Sequence, residues 1–509
     1  MKSLRPGFCS KFHSHRGSTV VVVLGFIAVV SMLFTAVLSR TMNTHRQVSH
    51  IASWQEALLA ADGGAEMVMA EMRKTIFTPN AFAGWERTTA DGTVTGTVPN
   101  GASKTILRSL RNGLGLRYAP ATLTHAGEGN TEMEIAVSID APPELVDPSD
   151  RQWFRVRATG TTYLPGAAVV AGDKRDLRLR RMSFLRNPKL NQPVDRPQTS
   201  RTVEMVVRPI GLEPAIYSRE PIDMNNANIL VDSYDSRDSA HSTNGLYDPA
   251  KRGAEGDVAT NSTLIDAGNA SIYGNAFTNG GSVVNSANVH GEIDNEYFLD
   301  VAPILKSEEP LQPIIHLYTS TTMGGGSIVM AGSEANPRRY RLTGNGSLNI
   351  TGGDLIFRAD PVEAAAGRTS YVDVWAPGDM KTAGTAGIKI EGNVNVRIYV
   401  EGSIYIGGNG NWNANSQPIK LQVFGVKYEG SGQQPTVTIA GNGIIVAAIY
   451  TPDHPVEFKA TGSGGQMWGS IFGKSIIMGG STHIHYDRAL ADSGKITDFR
   501  IKSWFEDTK

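Results

Sequence analysis

The chain has 509 residues, too many for one ordinary core, so length favours two or three folded units. Its 48 Lys+Arg against 49 Asp+Glu leave a formal net charge of -1, which removes the electrostatic case for a dedicated nucleic-acid binder. Fifty-five glycines beside only 7% aromatic residues suit many tight turns between short strands better than a helical bundle, and the lone cysteine, Cys9, excludes an intramolecular disulfide.

From Thr19 to Leu38 the sequence carries no charge, a run of roughly 20 residues that matches a hydrocarbon layer of ~30 Å as a helix. Lys2, Arg5, Lys11 and Arg16 precede it and only Arg40 and Arg46 follow closely, so the positive-inside rule puts the N-terminus in the cytoplasm and exports the rest. Leu38-Ser39-Arg40 offers no clean small-residue cleavage site, which predicts a retained single-pass anchor. Apolar residues then recur at three- and four-residue steps through Val48, Ile51, Trp54, Leu58, Ala61, Met69, Met72 and Ile76, before Thr78-Pro79-Asn80 stops the pattern. The expectation is one helix over 18–77, roughly 90 Å long, apolar all round in its first half, amphipathic in its second, and kinked at Gly63-Gly64.

This layout, a short basic leader, His15-Arg16-Gly17, a small residue and then the apolar helix, resembles the type IV pilin-like superfamily. Within it, the likeness is to minor-pilin assembly proteins and the tip pseudopilin of type II secretion, and it covers roughly the first 75 residues. The resemblance implies cleavage by prepilin peptidase between Gly17 and Ser18, Ser18 as an N-methylated first residue, and other pilin-like subunits as partners. It also implies an inner-membrane anchor with the bulk of the chain periplasmic or at the cell surface. Major pilins carry glutamate at the fifth mature position, where this chain has Val22, and that departure points to a minor, tip or capping subunit. The plainer alternative is a signal-anchor that no peptidase cuts.

Residues 78–212 alternate turn-rich stretches with period-two runs such as EMEIAVSI, WFRVRATGTTYL and TVEMVVRPI, and read as a β-rich middle domain that covers the helix's apolar stripe. The basic run 173–190 alternates Leu177 and Leu179 with Arg178 and Arg180, and reads as a solvated strand and loop rather than a lipid- or nucleic-acid-binding helix.

Residues 213–492 form a series of short alternating runs broken by Gly-Asn, Gly-Gly or Gly-Ser, which predicts a right-handed β-helix or β-solenoid, with a β-sandwich as the alternative. The fold class expected for the whole is therefore mainly β with a long N-terminal α-helix. Through AIYSREPIDMNNANILVDSYDS, GDVATNST and HIHYDRAL, residues 215–490 resemble a glycine-rich β-helical domain found behind pilin-like N-termini in bacterial surface proteins, which implies architecture and surface location more than an activity. Residues 1–17 read as a cytoplasmic leader and 493–509 as a C-terminal tail.

Asp232, Asp235 and Asp238, with Asp248 and Asp257, lie in a turn-rich stretch whose carboxylates could converge on calcium, although the spacing is not that of an EF-hand and turn capping is the plainer use. His483 and His485 share a strand face as a metal pair would, with only Asp487 near as a third ligand, so a polar ladder is the plainer reading. Trp375, Trp412 and Trp468 offer faces for sugar rings or, more simply, packing in the stack. No catalytic constellation, phosphate loop or dinucleotide fingerprint stands out, so the expectation is a structural, non-enzymatic subunit without a cofactor other than calcium. The rival is a membrane-tethered module that binds or cleaves surface polysaccharide.

Overall fold

The computed structural model describes residues 18–77, 80–88, 94–99, 117–119, 123–126, 132–141, 153–163, 198–225, 228–306, 316–318, 322–334, 336–459, 465–491 and 498–507. The chain is mainly β with one long N-terminal helix.

Helix α1 runs from Ser18 to Phe77 over 60 residues. Its apolar residues between Val22 and Leu38 are exposed, whereas Ala57, Ala61, Ala65, Val68, Met69 and Met72 further along are buried. The helix is long and apolar enough to cross a membrane and fits single-pass anchoring.

The buried stripe lies on an antiparallel sheet built from β1 (Glu86–Thr88), β2 (Val94–Thr97), β3 (Arg117–Ala119), β4 (Leu123–Ala126), β5 (Glu132–Asp140), β6 (Phe154–Tyr163) and β7 (Gln198–Ile210). Val137, Ile139, Val156, Ala158, Val203, Met205 and Val207 alternate toward α1 and close its core. The helix runs unbroken through Gly63-Gly64, and Gly64 serves close approach: a Cβ there would sit 2.7 Å from Val137 Cγ1. Gly160 on β6 answers it from the sheet, where a Cβ would come within 2.1 Å of the Ala57 carbonyl oxygen.

The segment read as a C-terminal tail is corrected here. Strand Asp498–Asp507 pairs antiparallel with β7 from Ile210↔Asp498 to Thr202↔Asp507 and buries Phe499 in the helix–sheet core. Its alternation is broken by an irregularity between Ile501 and Ser503, which hides the strand from a period-two reading.

Between β7 and that last strand the chain builds a stack of parallel strands. One face is a 10-stranded sheet whose spatial order is not the chain order. From one end it runs Ser282–Val284, Leu264–Asp266, Ile222–Asp223, Ile476–Gly479, Val456–Lys459, Val437–Gly441, Ile404–Gly408, Met380–Thr382, Ser347–Ile350 and Thr322–Gly324. The chain enters in the middle, winds outward to residue 294, crosses back over the stack, and restarts at the far end with His316–Tyr318. It then winds inward until Gly465–Gly473 and Thr482–Asp487 dock on the turn it entered by. Parallel ladders of this kind fit a solenoid and displace the β-sandwich alternative, whose strands pair antiparallel.

Ile398, Val423, Ile449, Ile471, Ile216 and Val258 stack in register as one interior column. Their chain neighbours Tyr399, Phe424, Tyr450, Phe472 and Tyr217 therefore form a second column on the other side of the same sheet, with Trp375 at its head and ring centroids 5.0–6.1 Å apart. The crossing segment, residues 297–306, covers that aromatic column. Tyr217 Oη donates to the Leu299 carbonyl at 3.0 Å, Tyr450 Oη to the Ala302 carbonyl, and Lys306 pairs with Glu401 at 2.7 Å.

The two glycines flanking the helix–sheet contact separate tight packing from free space. Gly160→Ala is expected to cost at least roughly 1–3 kcal/mol through overpacking against helix backbone. Gly63→Ala, with nothing within 4 Å of its Cβ, is expected to stabilise by about 0.5–1 kcal/mol through helix propensity. Thermal unfolding of the full chain in detergent checks both signs.

Candidate functional site

A buried polar cluster, which includes Asp232, Ser236, His485 and Asp487, lies where the two ends of the winding meet. Strand Leu230–Tyr234 pairs in parallel with Thr482–Asp487, setting Asp232 opposite His485 and Tyr234 opposite Asp487. Trp468 stands opposite His485 from the other side. Period two puts Asp232, His483 and His485 on one face, away from the interior residues Val231 and Ile484.

On that face Asp232 Oδ1 lies 2.6 Å from His485 Nδ1, and Asp232 Oδ2 accepts a hydrogen bond from Tyr247 Oη at 2.8 Å. The Tyr247 ring stacks on the His485 imidazole at 3.6 Å and leans on Trp468 at 5.9 Å. Burial, then the hydrogen bond to Asp232, push the Tyr247 hydroxyl above its usual range, so it stays a donor. His483 is half-buried 6.1 Å from His485, and burial together with its neighbouring imidazole lowers its pKa.

The loop after Tyr234 fastens the same seam. Asp487, almost wholly buried, accepts through Oδ1 from the Ser236 and Ala489 amides at 3.0 and 3.1 Å. Burial nevertheless pushes its pKa up to about 6, because two amide donors do not replace the water lost. Burial also raises Asp235, but its paired hydrogen bonds with Arg237, at 2.8 and 2.7 Å, outweigh that and hold it below the usual range. Asp238 accepts from the Ala240 amide at 2.8 Å, and Asp248 caps the short 3-10 turn Pro249–Lys251 through the Ala250 amide. Asp257 accepts from the Asn275 amide at 2.7 Å while burial lifts its pKa to about 6.

The carboxylates considered for calcium thus each have a partner of their own. Asp232, Asp235 and Asp238 do not converge on a common point, and among the described residues no group of three or more His, Cys, Asp or Glu is arranged to hold a metal ion. The histidine pair is split in the same way, since His485 is committed to Asp232. Trp375 is buried with its indole donating to Glu401 at 2.8 Å, and Trp412 is buried, so neither offers a face to a sugar. Trp468 is partly buried against Tyr247. Cys9 and Gly17 lie outside the described residues, Ser18 opens α1, and Val22 is 66% exposed.

The pairing of Asp232 with His485 spans 253 positions. Its signal in the sequence is the one-face spacing of the two histidines. The carboxylate that meets them is fixed by strand order, which local pattern does not carry. His454 is a second residue without a sequence signal. Neither of its ring nitrogens has a hydrogen-bond partner among the described residues, and burial lowers its pKa to about 4 against the opposing pull of Asp453.

Residues 369–493 match a family model described as a domain of unknown function (DUF7305). No curated protein matches. Among solved structures, the competence-associated pilin ComZ from Thermus thermophilus aligns at 12% identity, covering 89% of this chain and 97% of that chain, with a TM-score of 0.31. That overlap is too loose to bear on fold or function.

Two outcomes follow for the seam. Asp232→Ala removes the acceptor of two buried partners and is expected to cost on the order of 3 kcal/mol, whereas Tyr247→Phe loses one hydrogen bond and about 1 kcal/mol; denaturant unfolding followed by fluorescence separates them. Asp487 and Asp257 have folded pKa values raised above the unfolded one, to about 6, so the folded state binds extra protons between pH ~4 and ~6. Their contribution therefore stabilises the fold below that window and is lost as pH rises through it. Carboxylates held low, such as Asp235 and Asp354, contribute the opposite slope as pH falls through their folded pKa. His454, held low by burial, contributes the opposite slope over much of the same range. Asp487→Asn is therefore expected to remove one component of the fall between pH ~4 and ~6, which denaturant unfolding of both proteins across that range checks.

Proposed function

We propose that the chain is a minor subunit of a type IV pilus or related secretion filament, placed at or near the tip, whose parallel stack closes as a right-handed β-helix and serves as a head for assembly or adhesion. The observation that carries this reading is the division of α1. Its first half is apolar and exposed on all sides, while its second half is seated on an antiparallel sheet. One end thus suits a bilayer or a bundle of similar helices, and the other holds a head in fixed relation to it.

On this reading prepilin peptidase cuts between Gly17 and Ser18, the N-terminus begins in the cytoplasm, and the head lies in the periplasm or at the surface. The partners are other pilin-like subunits and the inner membrane, with surface polysaccharide as a further ligand of the head. Val22, in place of a glutamate, leaves no intramembrane carboxylate to pair with a neighbour's amine, which suits a terminal position better than an internal one. The role is structural, with no catalytic residue and no cofactor assigned.

N-terminal sequencing of protein from its native membrane tests the processing. Ser18 is expected as the first residue, and Met1 as the first residue in cells that contain the peptidase would overturn the reading. Turnover of acidic or neutral polysaccharide, abolished by one carboxylate substitution, would replace the structural role with an enzymatic one.

A further inference from the structure

The two ends of the stack are finished differently. At the end that begins with residues 316–330, Met323 and Val329 are buried. At the other end the interior column stops in the open. Val283 continues the column of Ile222 and Ile265, Val289 that of Val231 and Ile272, and Ile293 that of Val258 and Ala276. Each of three faces therefore contributes one inward-pointing apolar side chain with no further turn over it among the described residues. Ile293 is 46% exposed, and Phe298 beside it is 64% exposed.

The backbone is open at the same place. Among the described residues, strand Ser282–Val284 pairs only with Leu264–Asp266, and Ile293–Asp294 only with Ala276–Phe277, so each presents an open parallel edge there. An uncapped stack with bare edges is a template for another strand. The sequence that builds this end carries one sign of charge. Residues 276–300 include Glu292, Asp294, Glu296 and Asp300 and no Lys or Arg. All four acids are exposed.

We propose that this end is a docking surface for an extended, apolar segment of a partner protein that carries Lys or Arg, laid across the end as one further turn. The apolar side chains of the segment would cover Val283, Val289 and Ile293, its backbone would extend the open edges, and its cations would face the four carboxylates. A second copy of this chain is the poorer occupant. Two such ends brought together oppose acid to acid. The inference concerns the stack alone and holds whether or not the chain enters a filament.

The probe is a peptide of the terminal turn itself, Ala276–Asp294, made with Glu292→Lys and Asp294→Lys, and compared with the same peptide in its native charge. Binding to the full chain in detergent is read by fluorescence anisotropy. The basic peptide is expected to bind at least tenfold more tightly than the native one, to weaken as salt rises, and to lose at least fivefold on Ile293→Asn in the protein. A protein carrying Glu292→Lys, Asp294→Lys and Glu296→Lys is expected to reverse the preference, which a merely structural role for these surface acids would not produce. Binding of neither peptide, a preference unmoved by the charge reversal, or self-association of the chain lost on Ile293→Asn would each overturn the proposal.

Discussion

Everything in the larger unit depends on one junction, where the entering turn pairs in parallel with Gly465–Gly473, Ile476–Gly479 and Thr482–Asp487. A parallel strand cannot satisfy its amides and carbonyls within its own turn, so each turn is stable only between two neighbours. The turn by which the chain enters has one neighbour near in sequence and the other more than 200 residues away. The polar chemistry concentrated there follows from that need. Asp232 meets His485 and Tyr247 where an apolar contact would leave the relative rotation of the two strands unspecified, and Asp487 gathers the amides of Ser236 and Ala489 that begin and end the winding.

The crossing segment solves a related problem. Residues 297–306 run along the surface of the stack, where a bare extended segment would leave its carbonyls exposed beside apolar rings. The aromatic column supplies both needs. Its hydroxyls at Tyr217 and Tyr450 meet the carbonyls of Leu299 and Ala302, while the ring faces bury the segment's apolar side chains. The segment thereby ties turns formed early in the sequence to turns formed late.

Features set by local pattern are legible in the sequence. The uncharged run from Thr19 to Leu38 announces the anchor, and the alternation in EMEIAVSI and TVEMVVRPI announces strands that lie under α1. Glycine-broken short runs announce stacked strands, since such runs cannot bury a face singly. What stays hidden is order in space. Nothing local to residues 498–507 says that they complete a sheet begun more than 350 residues earlier, and the irregularity after Ile501 masks even their strand character. The aspartates between 232 and 257 look like a ligand cluster in a linear reading because turn residues accumulate there. In three dimensions each answers a different amide, arginine, tyrosine or histidine.

The interleaving of the two units has a consequence for how the protein is made. Strand 498–507 completes the sheet under α1, and strand 482–487 completes the stack, so both units wait for one short stretch of polypeptide, residues 482–507. A ribosome that has delivered residues 1–480 has delivered neither unit whole, and β7 still presents a bare edge. Loss of residues 482–507 would therefore expose unpaired edges at two separate places, the kind of surface that favours aggregation over folding.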